Sequence, residues 1–272
     1  MKGLVMKYKL LATDLDGTLL NSKSEVSEHT RKTILAAIEQ GMLFVPSTGR
    51  PLCGVERICE MFPGDFPVIT YNGAAAMTSK TQRVLFSQDL KRGDAKEIYE
   101  LGVERGVPII IWEGETLHVS HICFEIELYQ KITGATLHVL ENFDALSVIT
   151  KIIWLVQPED GRQLTLALGE RFAGRMNVHT SHPCLLEFVD VKASKGLALQ
   201  AIGEAHGITA DEIIAAGDGF NDVSMLKYAG LSVAMSNAPE DIRALCKHVT
   251  CSNDEDGVAK VIEEFVLGGR NG

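Results

Sequence analysis

The stretch YKLLATDLDGTLL, residues 8–20, runs an apolar segment directly into Asp14-Leu15-Asp16-Gly17-Thr18. Residues 8–13 have the length and character of a buried strand. A strand ending in two carboxylates one residue apart needs a physical reason, because close buried charges repel unless a cation sits between them. Side chains at i and i+2 of an extended chain point to one side, so Asp14 and Asp16 face one spot if the strand persists. Two plainer readings stand beside a cation site. Asp and Gly are ordinary turn residues. A calcium loop would place Asp14, Asp16 and Glu25 at loop positions 1, 3 and 12, but Leu19 occupies position 6, where the sharp turn requires Gly.

Outward from this stretch, strand and helix alternate. A helix over 27–40, with apolar Val26, Ile34, Ala37 and Ile38 and a stop at Gly41, leads to a strand over 42–46. Ser47-Thr48-Gly49-Arg50 follows, then a helix over 51–61 and a strand over 67–71 ending at Asn72-Gly73. This alternation predicts βαβ units and a parallel sheet. Beyond about residue 83 the texture changes. Helices over 94–105, 124–132 and 159–169 mix with strands over 107–112, 116–120, 151–157, 176–181 and 184–190. Adjacent strands among helices predict an α+β insert with an antiparallel sheet. After Lys192 the alternation returns, with helices over 195–206, 222–229, 239–246 and 257–266 and strands over 212–218 and 231–235. The expected organisation is an α/β core of residues 1–82 and 191–272, interrupted by an inserted domain over 83–190.

Composition narrows the function classes. The 272 residues are 46% hydrophobic, enough for two cores. Lys and Arg number 26 against 36 Asp and Glu, a formal net charge of −10. That balance disfavours nucleic-acid and anionic-membrane partners, which need basic patches. No apolar run approaches the roughly 20 residues of a membrane helix, and the segment before Asp14 is too short for a secretory signal. Six cysteines without a C-x-x-C pair read as reduced thiols. The expectation is a soluble cytoplasmic protein, a monomer or small homo-oligomer, binding neither nucleic acid nor membrane.

Three further polar clusters echo the first. FVPSTGRP (44–51) ends an apolar strand in hydroxyls, a glycine amide and a helix start, which is either a capped helix or an anion site. Lys195, in VKASKGLALQ (191–200), opens a helix, where a cation opposes the positive end of the dipole and calls for a compensating carboxylate or phosphate. IIAAGDGFNDVSML (213–226) ends a strand in Asp218, Asn221 and Asp222. An Asp-capped helix explains Asp222 but leaves Asp218 unexplained. Polar groups at the carboxyl ends of parallel strands gather in one crevice. Asp14, Asp16 and Asp218 would make an oxygen-rich site suited to Mg2+, while Thr48, Lys195 and Asn221 supply donors to phosphate oxygens. Carboxylates, donors and a metal are the apparatus of phosphoryl transfer.

Four motifs in this order, DLDGTLL (14–20), STGR (47–50), the Lys195 segment and GDGFND (217–222), resemble those of the haloacid dehalogenase superfamily. The insert resembles the C2B-type cap of its Cof-type branch (subfamily IIB). The resemblance implies a Rossmann-like, doubly wound parallel-sheet core with an inserted α+β cap domain. It implies Asp14 as nucleophile and Asp16 as acid and then base. It implies Mg2+ held by the Asp14 carboxylate, the Asp16 backbone carbonyl and Asp218, with Asp222 assisting through water. It gives Leu15 by its backbone, Thr48 with Gly49, Lys195 and Asn221 to the phosphoryl group. Ser47 departs from the alanine common in the family, which leaves open which hydroxyl meets phosphate; Thr48 is assigned by position. Arg50 has two readings, phosphate contact or an acidic partner. Asn72-Gly73 is similar to the family's NGA segment and has two readings, lining the site or forming the hinge turn before the insert, of which the turn is preferred.

Within the insert, His118, His121, His179, His182 and Cys184 tempt a zinc assignment, but neither set has a complete four-ligand spacing, and structural or surface roles are expected. The implied function is an Mg2+-dependent phosphatase of small phosphorylated metabolites, sugar phosphates among them, acting through an aspartyl-phosphate. A phosphomutase or other phosphotransferase would use the same nucleophile. A non-catalytic phospho-ligand sensor would have no need of Asp16 and Lys195.

Overall fold

β1 (Leu10–Asp14) is buried along its whole length, as an unbroken apolar run requires of a strand covered on both faces. The structure, a computed structural model, describes residues 6–268; residues 1–5 and 269–272 of the expected core lie outside the described residues. α1 (Glu28–Glu39) is opened by Ser27, whose Oγ accepts from Thr30 N at 3.0 Å, and ends before Gly41 at φ +98°. β2 (Leu43–Ser47) pairs in parallel with β1.

The helix expected over 51–61 is reduced to a 3-10 turn at Cys53–Val55 and one helical turn, α2 (Glu56–Cys59). Gly54, inside the expected span, weakens a longer helix. β3 (Pro67–Thr70) is followed by two strands that the sequence did not reveal, β4 (Ala75–Thr78) and β5 (Val84–Ser87). β4 is a short Ala-rich strand whose pairing with β3, rather than any pattern of its own, makes it extended.

The remainder of the chain carries α3 (Arg92–Arg105), β6 (Ile109–Glu113), β7 (Thr116–Val119), α4 (Phe124–Thr133), β8 (Leu137–Val139), β9 (Lys151–Leu155) and α5 (Pro158–Arg171). β10 (Met176–His182) and β11 (Leu185–Asp190) precede α6 (Lys195–His206), β12 (Ile213–Gly217), α7 (Val223–Tyr228) and β13 (Leu231–Ala234). α8 (Glu240–Leu245), β14 (His248–Val249) and α9 (Gly257–Ile262) follow, and the helix continues as a π-helical segment at Glu263–Leu267.

Packing divides the chain into two units. One takes the chain up to Gly49, Glu56–Phe86 and the chain from Ser194 onward; the other takes Arg50–Val55 and Ser87–Ala193. The divide falls a few residues beyond 82/83 because β5 joins the sheet of the first unit. It falls beyond 190/191 because Ala193 N donates to Asp190 O at 2.9 Å.

The first unit is α/β. Its sheet runs β14-β13-β12-β1-β2-β3-β4-β5, parallel from β14 through β3 and antiparallel where β4 meets β3. Leu10, Ala12, Val45 and Ile69 of this sheet pack with Ala198 and Ile202 of α6, Met225 of α7 and Ile242 of α8. Burial of the Leu, Val, Ile and Met side chains among these is worth about 1.5–3 kcal/mol each.

The second unit has a six-stranded sheet, β10-β11-β9-β6-β7-β8. It is antiparallel except at its edge, where β8 pairs in parallel with β7. The short β8 is held only by that pairing and was not expected from its sequence. Ile109, Ile111, Ile152, Trp154 and Phe188 pack one face against Ile98 of α3 and Leu168 of α5.

On the other face of that sheet, Lys151 and Glu187 are buried together. Lys151 Nζ lies 3.0 Å from Glu187 Oε2, Ser181 Oγ donates to Oε1 at 2.6 Å and His179 Nε2 lies 3.3 Å from Oε2. Burial alone would push the Glu187 carboxyl up, but Lys151, His179 and Ser181 outweigh it and hold it down at about 2. A carboxyl ionised more easily folded than unfolded contributes stability above its unfolded range near 4.5 and loses it as pH falls toward the folded value. The shift corresponds to roughly 3 kcal/mol. Glu187→Gln is therefore expected to lower Tm at pH 7 by several degrees, and the gap to the parent protein should narrow below about pH 4.5. Melting curves from pH 7 to pH 3 check this; a gap independent of pH contradicts it.

Candidate active site

β1 lies between β12 and β2, so the chain leaves it in one direction and returns on its other side. Such a switch in strand order opens a crevice at the carboxyl ends. Asp14 ends β1, Ser47 ends β2, and Asp218 follows the end of β12. α6 brings Lys195 as its first residue, with Ser194 Oγ capping it by accepting from Leu197 N at 3.1 Å.

Lys195 is fully buried. Its Nζ donates to Asp14 Oδ1 at 2.5 Å, Asp222 Oδ1 at 2.6 Å and Ser47 O at 3.2 Å. Burial pulls its pKa down, but Asp14 and Asp222 outweigh that and raise it above the ordinary lysine value. The anions demanded by a cation at a helix N-terminus are thus two carboxylates of this chain.

Those carboxylates are still short of positive charge. Asp14 is 6% exposed, and its carboxyl is pushed up to about 7: burial is the largest cause, Lys195 opposes it, and the charges of Asp222 and Asp218 add to it. Asp218 is also raised, chiefly by burial, although Thr18 Oγ1 donates to its Oδ1 at 2.8 Å. Asp222 is fully buried, and its Oδ2 accepts from Asp218 N at 3.1 Å and Gly219 N at 2.9 Å. Asp14, Asp218 and Asp222 each offer an oxygen within 4.8 Å of the others. Three acids sharing one ammonium, two of them held above the ordinary carboxylate range, fit a divalent cation with a preference for oxygen ligands.

The Asp16 carboxylate, expected from spacing alone to face the same spot as Asp14, is not among the three; the third is Asp222, to which the resemblance gives an assisting role. β1 stops at Asp14, and the backbone closes a turn in which Thr18 N and Leu20 N donate to Leu15 O at 3.3 and 2.8 Å. Asp16 therefore lies outside the extended segment, the condition for two carboxylates to share a side, and its residue is exposed.

The donor groups are set around the same strand ends. Thr48 is buried; its N donates to Ile69 O at 2.8 Å and its O accepts from Asn72 N at 3.0 Å. Asn221 Nδ2 donates to Asn72 Oδ1 at 3.1 Å, and a Cβ on Gly49 would stand 3.0 Å from the Asn72 amide. Asn72, read from sequence as the turn before the insert, thus lies against Gly49 and bonds Asn221, two of the expected phosphate-binding positions. Its signal was Asn-Gly, a pair that tolerates left-handed backbone: φ is +56° at Asn72 and +90° at Gly73. A side chain at Gly73 would overlap the Ser194 main chain, so glycine lets this turn lie against the start of α6. Leu15 is buried, and the Ser47 hydroxyl is buried without a hydrogen-bond partner among the described residues. Arg50 falls in the segment that packs with the second unit.

The histidines of the insert do not gather. His118 pairs with Glu113 at 3.1 Å, His121 lies 3.0 Å from Ser120 Oγ, and His179 belongs to the Glu187 cluster. His182 Nδ1 accepts from Cys184 N at 3.4 Å. Among the described residues, the three acids are the group placed to hold a metal. No helix among them is long and apolar enough to cross a membrane.

Comparison with known proteins agrees with this geometry. Residues 11–262 match the family model described as haloacid dehalogenase-like hydrolase. YxeH of Bacillus subtilis strain 168 is 32% identical over 268 residues, spanning 96% of this chain and 99% of its own length. The 5-amino-6-(5-phospho-D-ribitylamino)uracil phosphatase YcsE of the same strain is 30% identical over 268 residues, spanning 95% of this chain and 96% of its own. The crystal structure of TM0651 from Thermotoga maritima superposes with a TM-score of 0.84 at 31% identity, covering 94% of this chain and 97% of that one. The motifs, the parallel sheet and these matches converge: the chain belongs to the haloacid dehalogenase-like hydrolase family and is a hydrolase of its phosphatase class.

Proposed function

We propose that the protein is an Mg2+-dependent phosphatase of small phosphorylated metabolites, sugar and sugar-alcohol phosphates in particular. The observation that carries this reading is the buried Asp14, held by Lys195 at 2.5 Å beside two further acids. An Asp with a cation beside it, and no water shell to shed, is an effective nucleophile. Its Oδ attacks phosphorus, and the bond from phosphorus to the ester oxygen breaks. Asp16 gives its proton to that oxygen, then takes one from the water that attacks the aspartyl-phosphate and regenerates Asp14. Thr48, the Gly49 and Leu15 amides, Lys195 and Asn221 orient the phosphoryl oxygens. When bound by Asp14, the Asp16 backbone carbonyl and Asp218, with Asp222 assisting, Mg2+ supplies the positive charge that offsets the phosphoryl oxygens. The name of YcsE, which specifies a phosphorylated ribityl compound, supports the substrate class. Six free thiols suit a reducing cytoplasm.

A panel of phosphomonoesters assayed for free phosphate tests the reading. Phosphate release is expected with Mg2+ and lost with a chelator. Asp218→Asn should raise the Mg2+ concentration for half-activation about tenfold or more, the usual scale for disturbing a metal site. No release across the panel overturns the phosphatase; release that survives chelation overturns the metal. Isomerised phosphosugar in place of free phosphate would make it a mutase.

A further inference from the structure

The turn that carries Asp16 is gripped from outside by two side-chain amides distant in sequence. Within the turn, the backbone uses the Asp14 and Leu15 carbonyls as acceptors, for Leu19 N at 3.2 Å and for Thr18 N and Leu20 N. The Gly17 and Leu20 carbonyls are taken by other partners. Asn237 Nδ2 donates to Gly17 O at 2.9 Å, and Asn253 Nδ2 donates to Leu20 O at 2.8 Å. The two amides are joined to each other, since Asn253 N donates to Asn237 Oδ1 at 3.2 Å. Just outside them, Ser22 N donates to Asp254 Oδ1 at 2.8 Å.

On the inner side the turn has little freedom. Gly17 stands at φ +80°, and a Cβ there would overlap the Asp218 carboxylate. Asp16 and Leu20 are bridged as neighbouring backbone segments. The main chain at Asp16 is thus held between Asp14 at the end of β1 and the Gly17 and Leu20 carbonyls. That backbone sets the direction of the Asp16 Cα–Cβ bond, and so short a side chain leaves its carboxyl few staggered positions.

We propose that Asn237 and Asn253 are positioning residues for Asp16 in the proton transfer to the leaving oxygen. They hold the Gly17 and Leu20 carbonyls of the turn that aims the acid. This role rests on the phosphatase reading above, because it concerns the acid of that reaction. A misplacement of about 1 Å in a reacting group costs on the order of a hundredfold in rate, so loosening one anchor is enough to show.

The test separates aim from mere stability through the leaving group. An aryl ester such as p-nitrophenyl phosphate departs as a stable phenolate and needs little protonation. A primary-alcohol ester such as glycerol phosphate needs the proton. Asn237→Ala is expected to lower kcat/KM for the alcohol ester about tenfold or more while lowering the aryl ester less than about threefold. Asn253→Ala, which frees only the Leu20 end, should show the same asymmetry at smaller amplitude, and it carries the test if Asn237→Ala folds poorly. An equal fall on both esters, or no fall on either, overturns the positioning role while leaving the phosphatase intact. If the unsubstituted protein with Mg2+ hydrolyses neither ester nor any other phosphomonoester, the phosphatase reading falls and this role falls with it.

Discussion

Asp14→Asn is expected to remove turnover of phosphomonoesters by a factor of about 10⁵ or more, the scale on which loss of a covalent nucleophile acts. The amide has the size of the carboxyl but cannot attack phosphorus. The fold should survive, because Lys195 keeps its 2.6 Å bond to Asp222 Oδ1. Stability without metal should even rise slightly, since the substitution deletes one of three acids that share one ammonium. Adding Mg2+ should then raise Tm less in the variant than in the parent protein, which has the extra anionic ligand. Phosphate release and melting curves check the two halves. Residual activity within tenfold of the parent would remove Asp14 from the chemistry.

Lys195→Met should be the most destabilising single change in the first unit. It strands Asp14 and Asp222 as neighbouring buried carboxylates, and removing one side of a buried ion cluster typically costs 3–5 kcal/mol. In a protein of this length that is a fall in Tm of about 10 °C. The fall should shrink as pH drops, because protonation neutralises the stranded carboxyls. Adding Asp222→Asn should recover a good part of it by deleting one of the two charges. Activity should fall with Lys195 in either background, since the nucleophile loses its cation. An unchanged Tm would mean that the lysine is not the counter-charge its bonds indicate.

Much of the core was legible because its signals are local. Helix α1 announces itself by its stop at Gly41, which stands at φ +98°. Lys195 at a helix N-terminus called for an anion on dipole grounds alone, and two were found. The strand-end position of Asp14 and Asp218 followed from apolar runs that stop at acids. β4 and β8 escaped because short edge segments take their conformation from the strand they join, not from their own alternation.

The acid at position 16 shows the other limit. From its spacing it belonged with Asp14, and one backbone turn at Leu15 sends it elsewhere while Asp222 enters the cluster. Asn237 and Asn253 carried no chemical signature, and Asn72 only that of an Asn-Gly turn; each acquires its meaning from a partner far along the chain.

Pattern along the chain was enough for the α/β alternation, the order of the four polar strand ends and the need for a counter-cation, because each depends on neighbours within a few residues. Which carboxylates surround that cation, and which amides hold the turn beside it, depended on how β1, β12 and the segments after them come together. Hydrogen bonds and charge pairs act over a few ångströms of space, and the fold alone brings residues two hundred positions apart within that reach.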